Sequence, residues 1–141
     1  MKRTLTALTV AATMFASSAS AADPDDLNRL KDTNGCVSCD LRGADLTAAV
    51  LSGARLGGAR LSSANLSGAY LSGAYLGGAD LEGANLGGAY LFGAVLEGAN
   101  LEGANLGGAN LEGAYLKGAY MNGAILCNTT MPDGSVIYSG C

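Results

Sequence analysis

Leucine recurs at every fifth position from Leu41 to Leu116, and the residues between repeat the phrase Leu-x-Gly-Ala-x with few interruptions. Counted in quintets, residues 41–130 form eighteen repeats, with Leu first in all but one (Met121) and Ala fourth in all but one (Thr129). The third place is Gly in fifteen, the exceptions being Ala48, Ser63 and Asn128. An α-helix cannot carry this pattern. A five-residue step turns each successive Leu by about 140° around a helix axis, scattering the apolar positions, and each interior Gly costs roughly 1 kcal/mol. A flat strand is excluded as well, because its side chains alternate with period two.

Read in the order Ala-x-Leu-x-Gly, Ala and Leu lie two apart and so point to one side of a short extended segment, while the residue between them points outward. The remaining x-Gly pair makes a corner: a type II turn requires positive φ at its third residue, which Gly adopts without steric cost. Each quintet is then one side of a coil, and many such sides stack into a solenoid with a Leu and Ala core.

The runs Ala44-Asp45-Leu46, Ala79-Asp80-Leu81, Ala84-Asn85-Leu86 and Ala99-Asn100-Leu101 carry a further signal. They resemble the Ala-(Asp/Asn)-Leu-x-x signature of the pentapeptide repeat family, over about two thirds of the chain. The resemblance implies an all-β solenoid, a right-handed quadrilateral β-helix with four quintets per coil and about 4.5 coils over residues 41–130. At the C-terminal end, the tail closed by Cys141 also resembles the closing segment of some exported members of the family. Solenoid ends expose unpaired strand edges and need caps. Residues 22–40 are expected to form the first, with a short helix starting at Asp23-Pro24-Asp25-Asp26, where Pro occupies the first helical position. Leu27 and Leu30 are spaced to cover the first coil, and Asn34-Gly35 stops the helix. Residues 131–141 are expected to form the second cap, with a turn at Met131-Pro132-Asp133-Gly134 leading into a short strand from Ser135 to Tyr138.

Residues 1–21 read as a secretory signal: Lys2 and Arg3 give a basic start, Leu5 to Phe15 an apolar run, and Ala19-Ser20-Ala21 a cleavage site. The apolar run is too short to span a bilayer, and no Cys follows the cleavage site, so no membrane anchor is expected. The processed chain would be one exported domain, in the periplasm, a lumen or the medium. Without Lys2 and Arg3, six basic residues face twelve acidic ones. That balance argues against nucleic acid as a partner, since phosphate neutralisation needs a basic surface. Arg42, Arg55 and Arg60 fall in the early coils, and Asp80, Glu82, Glu97, Glu102 and Glu112 in later ones.

The cysteines occupy informative places. Cys36 lies five before Leu41 and so takes a Leu place, and Cys39 takes an Ala place. Cys127 follows the last repeat Leu, and Cys141 is the final residue of the sequence. With the family's four quintets per coil and roughly 4.8 Å per coil, Cys36 and Cys127 stand about 22 Å apart along the axis. A disulfide needs Cα atoms within about 7 Å. The expected pairs are therefore Cys36 with Cys39 and Cys127 with Cys141, as end staples in an oxidising compartment. Cys36-Val37-Ser38-Cys39 also has the spacing of a thiol redox motif, but such motifs sit at a helix N-terminus, whereas this one runs into Asp40-Leu41. A four-Cys zinc site would need both pairs at one point, so no metal is expected.

The chain has no histidine. This removes the commonest general base and metal ligand together. The carboxylates are spread singly along a convex surface, and the repeat glycines lack the Lys-Ser/Thr ending of a phosphate loop. No cofactor and no enzymatic activity are expected. Function must then lie in the outward residues. Positions twenty apart share a column, which stacks Asp45, Asn65, Asn85 and Asn105 and suggests a side-chain amide ladder. Tyr70 stacks between Val50 and Tyr90, the neighbouring side carries Tyr75, Val95 and Tyr115, and Phe92 lies at the corner between. These form an aromatic patch suited to recognition, although aromatic residues also simply suit a β surface. The leading reading is a non-enzymatic exported scaffold that binds another protein, or its own copy, through its faces. The alternatives are a periplasmic thiol redox protein using Cys36 and Cys39, and an acidic DNA mimic that binds a topoisomerase, as some family members do.

Overall fold

The computed structural model describes residues 21–141, so the expected leader lies almost wholly outside the described residues. One ladder organises the rest. Parallel bridges join residues twenty apart, from Gly35↔Arg55 and Asp40↔Arg60 down to Asn105↔Ile125 and Asn110↔Thr130. A twenty-residue repeat built of five-residue steps gives four sides per coil. Side one carries the column Asp40, Arg60, Asp80, Asn100 and Tyr120, and side two carries Asp45, Asn65, Asn85, Asn105 and Ile125. Side three carries Val50, Tyr70, Tyr90, Asn110 and Thr130, and side four carries Gly35, Arg55, Tyr75, Val95 and Tyr115.

The backbone of each quintet is satisfied by a fixed division of labour. The Leu N–H and the Gly N–H donate to the coil below, as Leu46 N to Asn65 O at 2.7 Å and Gly53 N to Ser72 O at 2.9 Å. The outward residue donates to the coil above, as Asn65 N to Ala44 O at 2.9 Å. The Ala N–H closes the corner on its own Leu carbonyl, as Ala44 N to Leu41 O at 3.1 Å. That bond, with φ of 67° at Gly43, makes the corner a type II turn. The exceptions at the third place obey the same geometry, since Ala48, Ser63 and Asn128 have φ of 55°, 59° and 58°. Inside, every repeat Leu from Leu56 to Leu111 is fully buried, and the Ala residues beside them fill the remaining space.

The first coil begins earlier than the leucine phrase indicates. The ladder starts at Gly35 rather than Leu41, and its coils number nearly five. Cys36 and Cys39 substitute for Leu and Ala at the interior places, and Ser38 takes the corner φ of 57°, so residues 35–40 fold as solenoid rather than as cap. What covers this end is helix α1, Pro24–Thr33. Asp23 caps it by accepting from Asp25 N at 2.8 Å and Asp26 N at 3.3 Å, and Asn34 ends it in a left-handed conformation. Leu30 is buried against the first coil, with Leu27 half-buried beside it. At the other end, strand β1, Leu126–Thr130, pairs antiparallel with β2, Val136–Ser139. This hairpin covers only one edge of the last coil. Leu116, Ala119, Met121 and Ala124 are therefore half-buried there, where their counterparts in middle coils are sealed.

Candidate interaction surface

With Leu and Ala consumed by the core, chemistry is left to the column residues and the corner residues. Both expected disulfides are present. Cys36 and Cys39 have Cα atoms 5.3 Å apart, and Cys127 and Cys141 have Cα atoms 4.8 Å apart. The sulfur-bearing pair of the first coil is buried, and Arg29 of α1 places a guanidinium N–H 3.3 Å from Cys39 Sγ. Asp26 lies close enough to Cys36 and Cys39 to form a three-ligand cluster, but both sulfurs are committed to the disulfide and offer no thiolate.

Side two is an amide column, but the column is not a ladder of amides bonded to one another. Each carboxylate or amide turns back on its own quintet: Asp45 Oδ1 accepts from Thr47 N, Asn65 Oδ1 from Ser67 N, and Asn85 Oδ1 and Asn105 Oδ1 from Gly87 N and Gly107 N, the last two at 2.9 Å. This is the one N–H of the quintet that the coil-to-coil ladder and the corner bond together leave over. Asp and Asn are thus selected before Leu because a short side chain with an oxygen reaches the N–H two residues on. The coil-to-coil side-chain bond that does form is on side one, from Asn100 Nδ2 to Asp80 Oδ1 at 3.3 Å.

The early coils carry an ion network. Arg42 grips Asp40 through two bonds, Nε to Oδ1 and Nη2 to Oδ2, both 2.7 Å, with Arg60 Nη1 3.9 Å from Oδ2. The Arg42 bond, aided by the nearby charge of Arg60, holds the Asp40 carboxyl below the ordinary carboxylate range. The Thr47 hydroxyl and backbone N–H do the same for Asp45. A shallow groove of about 470 Å³ opens between α1 and the uncovered edge of the first coil, lined by Leu30, Lys31, Asn34, Asp45, Thr47 and Val50 among others. The convex surface expected from the repeat is thus interrupted here, where the helix covers only part of the end.

The aromatic residues gather as their spacing implies. Tyr70 and Tyr90 stack on side three with ring centroids 4.9 Å apart and planes inclined by 5°. Tyr75 and Tyr115 share the side-four column with Val95 between them, and Phe92 stands in the corner place between the two sides. All five rings are about half exposed. Gly57 and Gly77 belong to this arrangement: a Cβ on either would come within 3.0 Å of the Tyr75 ring, so the second place is glycine where that ring lies. Tyr120 is also exposed, on side one beneath Asn100; the same count by twenties reaches it from Asp80.

A sequence model described as pentapeptide repeats (8 copies) matches residues 39–76, 69–108 and 94–131. The chain belongs to the pentapeptide repeat family. Pentapeptide repeat proteins fold as right-handed quadrilateral β-helices, and the twenty-residue ladder gives this chain the same four sides per coil. The crystal structure of the pentapeptide repeat protein Rfr23 from the cyanobacterium Cyanothece 51142 is similar, at 30% identity and a TM-score of 0.54 over 71% of this chain and 96% of that one. HetL, a pentapeptide repeat protein involved in heterocyst differentiation regulation in Nostoc sp. strain PCC 7120, is 35% identical over 69% of this chain and 63% of its own, with a TM-score of 0.30. A pentapeptide repeat protein of the Arabidopsis thaliana thylakoid lumen is 28% identical over 68% and 70%, with a TM-score of 0.24. No curated protein matches the chain.

Proposed function

We propose that this pentapeptide repeat protein is a non-enzymatic exported scaffold whose sides three and four bind another protein or a second copy of the chain. The observation that carries the reading is the exposed aromatic surface formed by Tyr70, Tyr90, Phe92, Tyr75 and Tyr115 on two adjoining sides of a rigid solenoid. Tyr and Phe are favoured at interface centres because they remove large areas from water at low cost in side-chain entropy. A ladder fixed by backbone bonds adds little further ordering cost on binding. Export rests on the signal-like residues 1–21 and is supported by the two disulfides among the described residues, bonds that persist in oxidising compartments.

The chemistry of the buried cysteines and the surface charges favours binding over the alternatives. Thiol exchange requires an attacking thiolate to reach a sulfur, and both sulfurs of the Cys36–Cys39 pair are buried beneath α1. An acidic nucleic-acid mimic needs negative charge along its whole length, whereas Arg42, Arg55 and Arg60 fall in the early coils, Asp80, Glu82, Glu97, Glu102 and Glu112 in later ones, and side two carries no charge below Asp45. The test is a Tyr90→Ser/Phe92→Ser double variant. Both residues lie outside the core, so circular dichroism and the thermal midpoint should stay near wild type, while a partner recovered from the exported fraction, or a dimer peak in size exclusion, should disappear. An unchanged complex would rule out the patch. Mass measurement of the protein from fractionated cells, with a mature chain starting at Ala22, tests export separately.

A further inference from the structure

The Tyr70–Tyr90 pair has a geometry that the binding reading does not use. The ladder sets these residues in register on consecutive coils, and the rings lie nearly parallel with centroids 4.9 Å apart. Their exposures are 45% and 48%, so both phenols are open to solvent and the rings retain freedom to tilt about their side-chain bonds. Among the described residues this is the stacked tyrosine pair. Tyr75 and Tyr115 share a column but Val95 separates them by a coil, and the Tyr75 ring is held over Gly57 and Gly77.

We infer that Tyr70 and Tyr90 form a site of oxidative cross-linking, where the two phenols couple to an intrachain dityrosine. The inference stands on ring geometry alone and does not require the patch to bind a partner. Each phenol gives up one electron and one proton to become a phenoxyl radical, whose spin density includes the ring carbons ortho to oxygen. Two such carbons, one from each ring, join in a new carbon–carbon bond. The hydrogens displaced from those carbons move to the oxygens and restore both phenols. The oxidant is hydrogen peroxide acting through a haem peroxidase: it accepts the two electrons and two protons and leaves as two waters. The product ties consecutive coils together in the middle of the solenoid, where neither disulfide reaches, since those lie in the first coil and at the terminal hairpin.

The experiment treats the purified protein with hydrogen peroxide and horseradish peroxidase, then records intact mass and dityrosine fluorescence on the monomer fraction. The expected result is a monomer lighter by two hydrogen atoms that fluoresces as dityrosine. Tyr70→Phe or Tyr90→Phe, which keeps the ring but removes the oxidisable phenol, should abolish that product. Tyr75→Phe/Tyr115→Phe should retain it. Cross-linking confined to covalent dimers, a monomer product that survives Tyr90→Phe, or no cross-link at all would each overturn the assignment.

Discussion

At the scale of single residues, the corner glycines separate conformational cost from steric cost. Gly73 has φ of 67°, and a Cβ built on it meets nothing within 4 Å. Any penalty for Gly73→Ala therefore comes from holding an L-residue in the left-handed region, about 1 kcal/mol. Ala48 already occupies that region with φ of 55°. Ala48→Gly should relieve the strain, but the unfolded chain also gains entropy from the new glycine, so its benefit should be smaller. We expect Gly73→Ala to lower the thermal midpoint by about 4 °C and Ala48→Gly to raise it by less. Calorimetry of the two variants beside wild type measures both; a Gly73→Ala protein as stable as wild type would mean that the corners tolerate a side chain freely. Ser63 and Asn128, at φ of 59° and 58°, show that the corner imposes its backbone on whichever residue falls there.

At the scale of elements, the two disulfides differ in what they replace. Cys36–Cys39 joins residues three apart at a Leu place and an Ala place, whereas Cys127–Cys141 joins residues fourteen apart and holds β2 against β1. The double variant Cys36→Leu/Cys39→Ala restores the pair that sixteen of the eighteen quintets in residues 41–130 use, so the lost cross-link is offset by ordinary packing. Cys127→Ser/Cys141→Ser has no such compensation and frees a hairpin whose closed loop contributes about 3 kcal/mol. We expect the first variant to unfold near the wild-type midpoint and the second to show early loss of hydrogen-exchange protection in residues 126–139. Equal losses in both would mean that the first pair is more than a core filler. The end elements also show where sequence reading works and where it stops. The helix and its caps were legible because Asp23, Pro24 and Asn34 act on backbone within a few residues of themselves, and the columns were legible because the period assigns each residue a side. The role of Asp and Asn before Leu was legible in principle as a contact two residues away, but counting by twenties drew attention to the neighbouring coil instead. The start of the solenoid was legible in part: the period put Cys36 at a Leu place and Cys39 at an Ala place, but the leucine phrase itself begins at Leu41 and so set the cap boundary at residue 40. The groove beside α1 depends on how far a ten-residue helix reaches across the coil, which no local pattern states.

At the scale of the whole molecule, stability should be close to a sum over stacked coils, since each coil contacts only its neighbours. This gives an inversion of the usual expectation for deletions. Excising residues 76–95 joins Tyr75 to Leu96, so the chain passes from an outward residue to an interior Leu as it does in the intact repeat. Every remaining side keeps its Leu, its Ala and its corner, every column keeps its side, and the caps keep their orientation. The loss is one coil, about 2 kcal/mol at ordinary stability per residue. Excising residues 81–83 removes far less chain but takes out Leu81 and the Glu82-Gly83 corner together. The shortened quintet retains only Ala84 and Asn85, too little backbone to span a side and turn, and the Asp80 side can no longer meet the coils above and below in register. The larger deletion should therefore give a folded protein with the same circular dichroism shape and a modestly lower midpoint. The smaller should give a protein with broadened, non-cooperative unfolding. If the three-residue deletion proves the more stable of the two, the quintet is not the unit that sets the ladder.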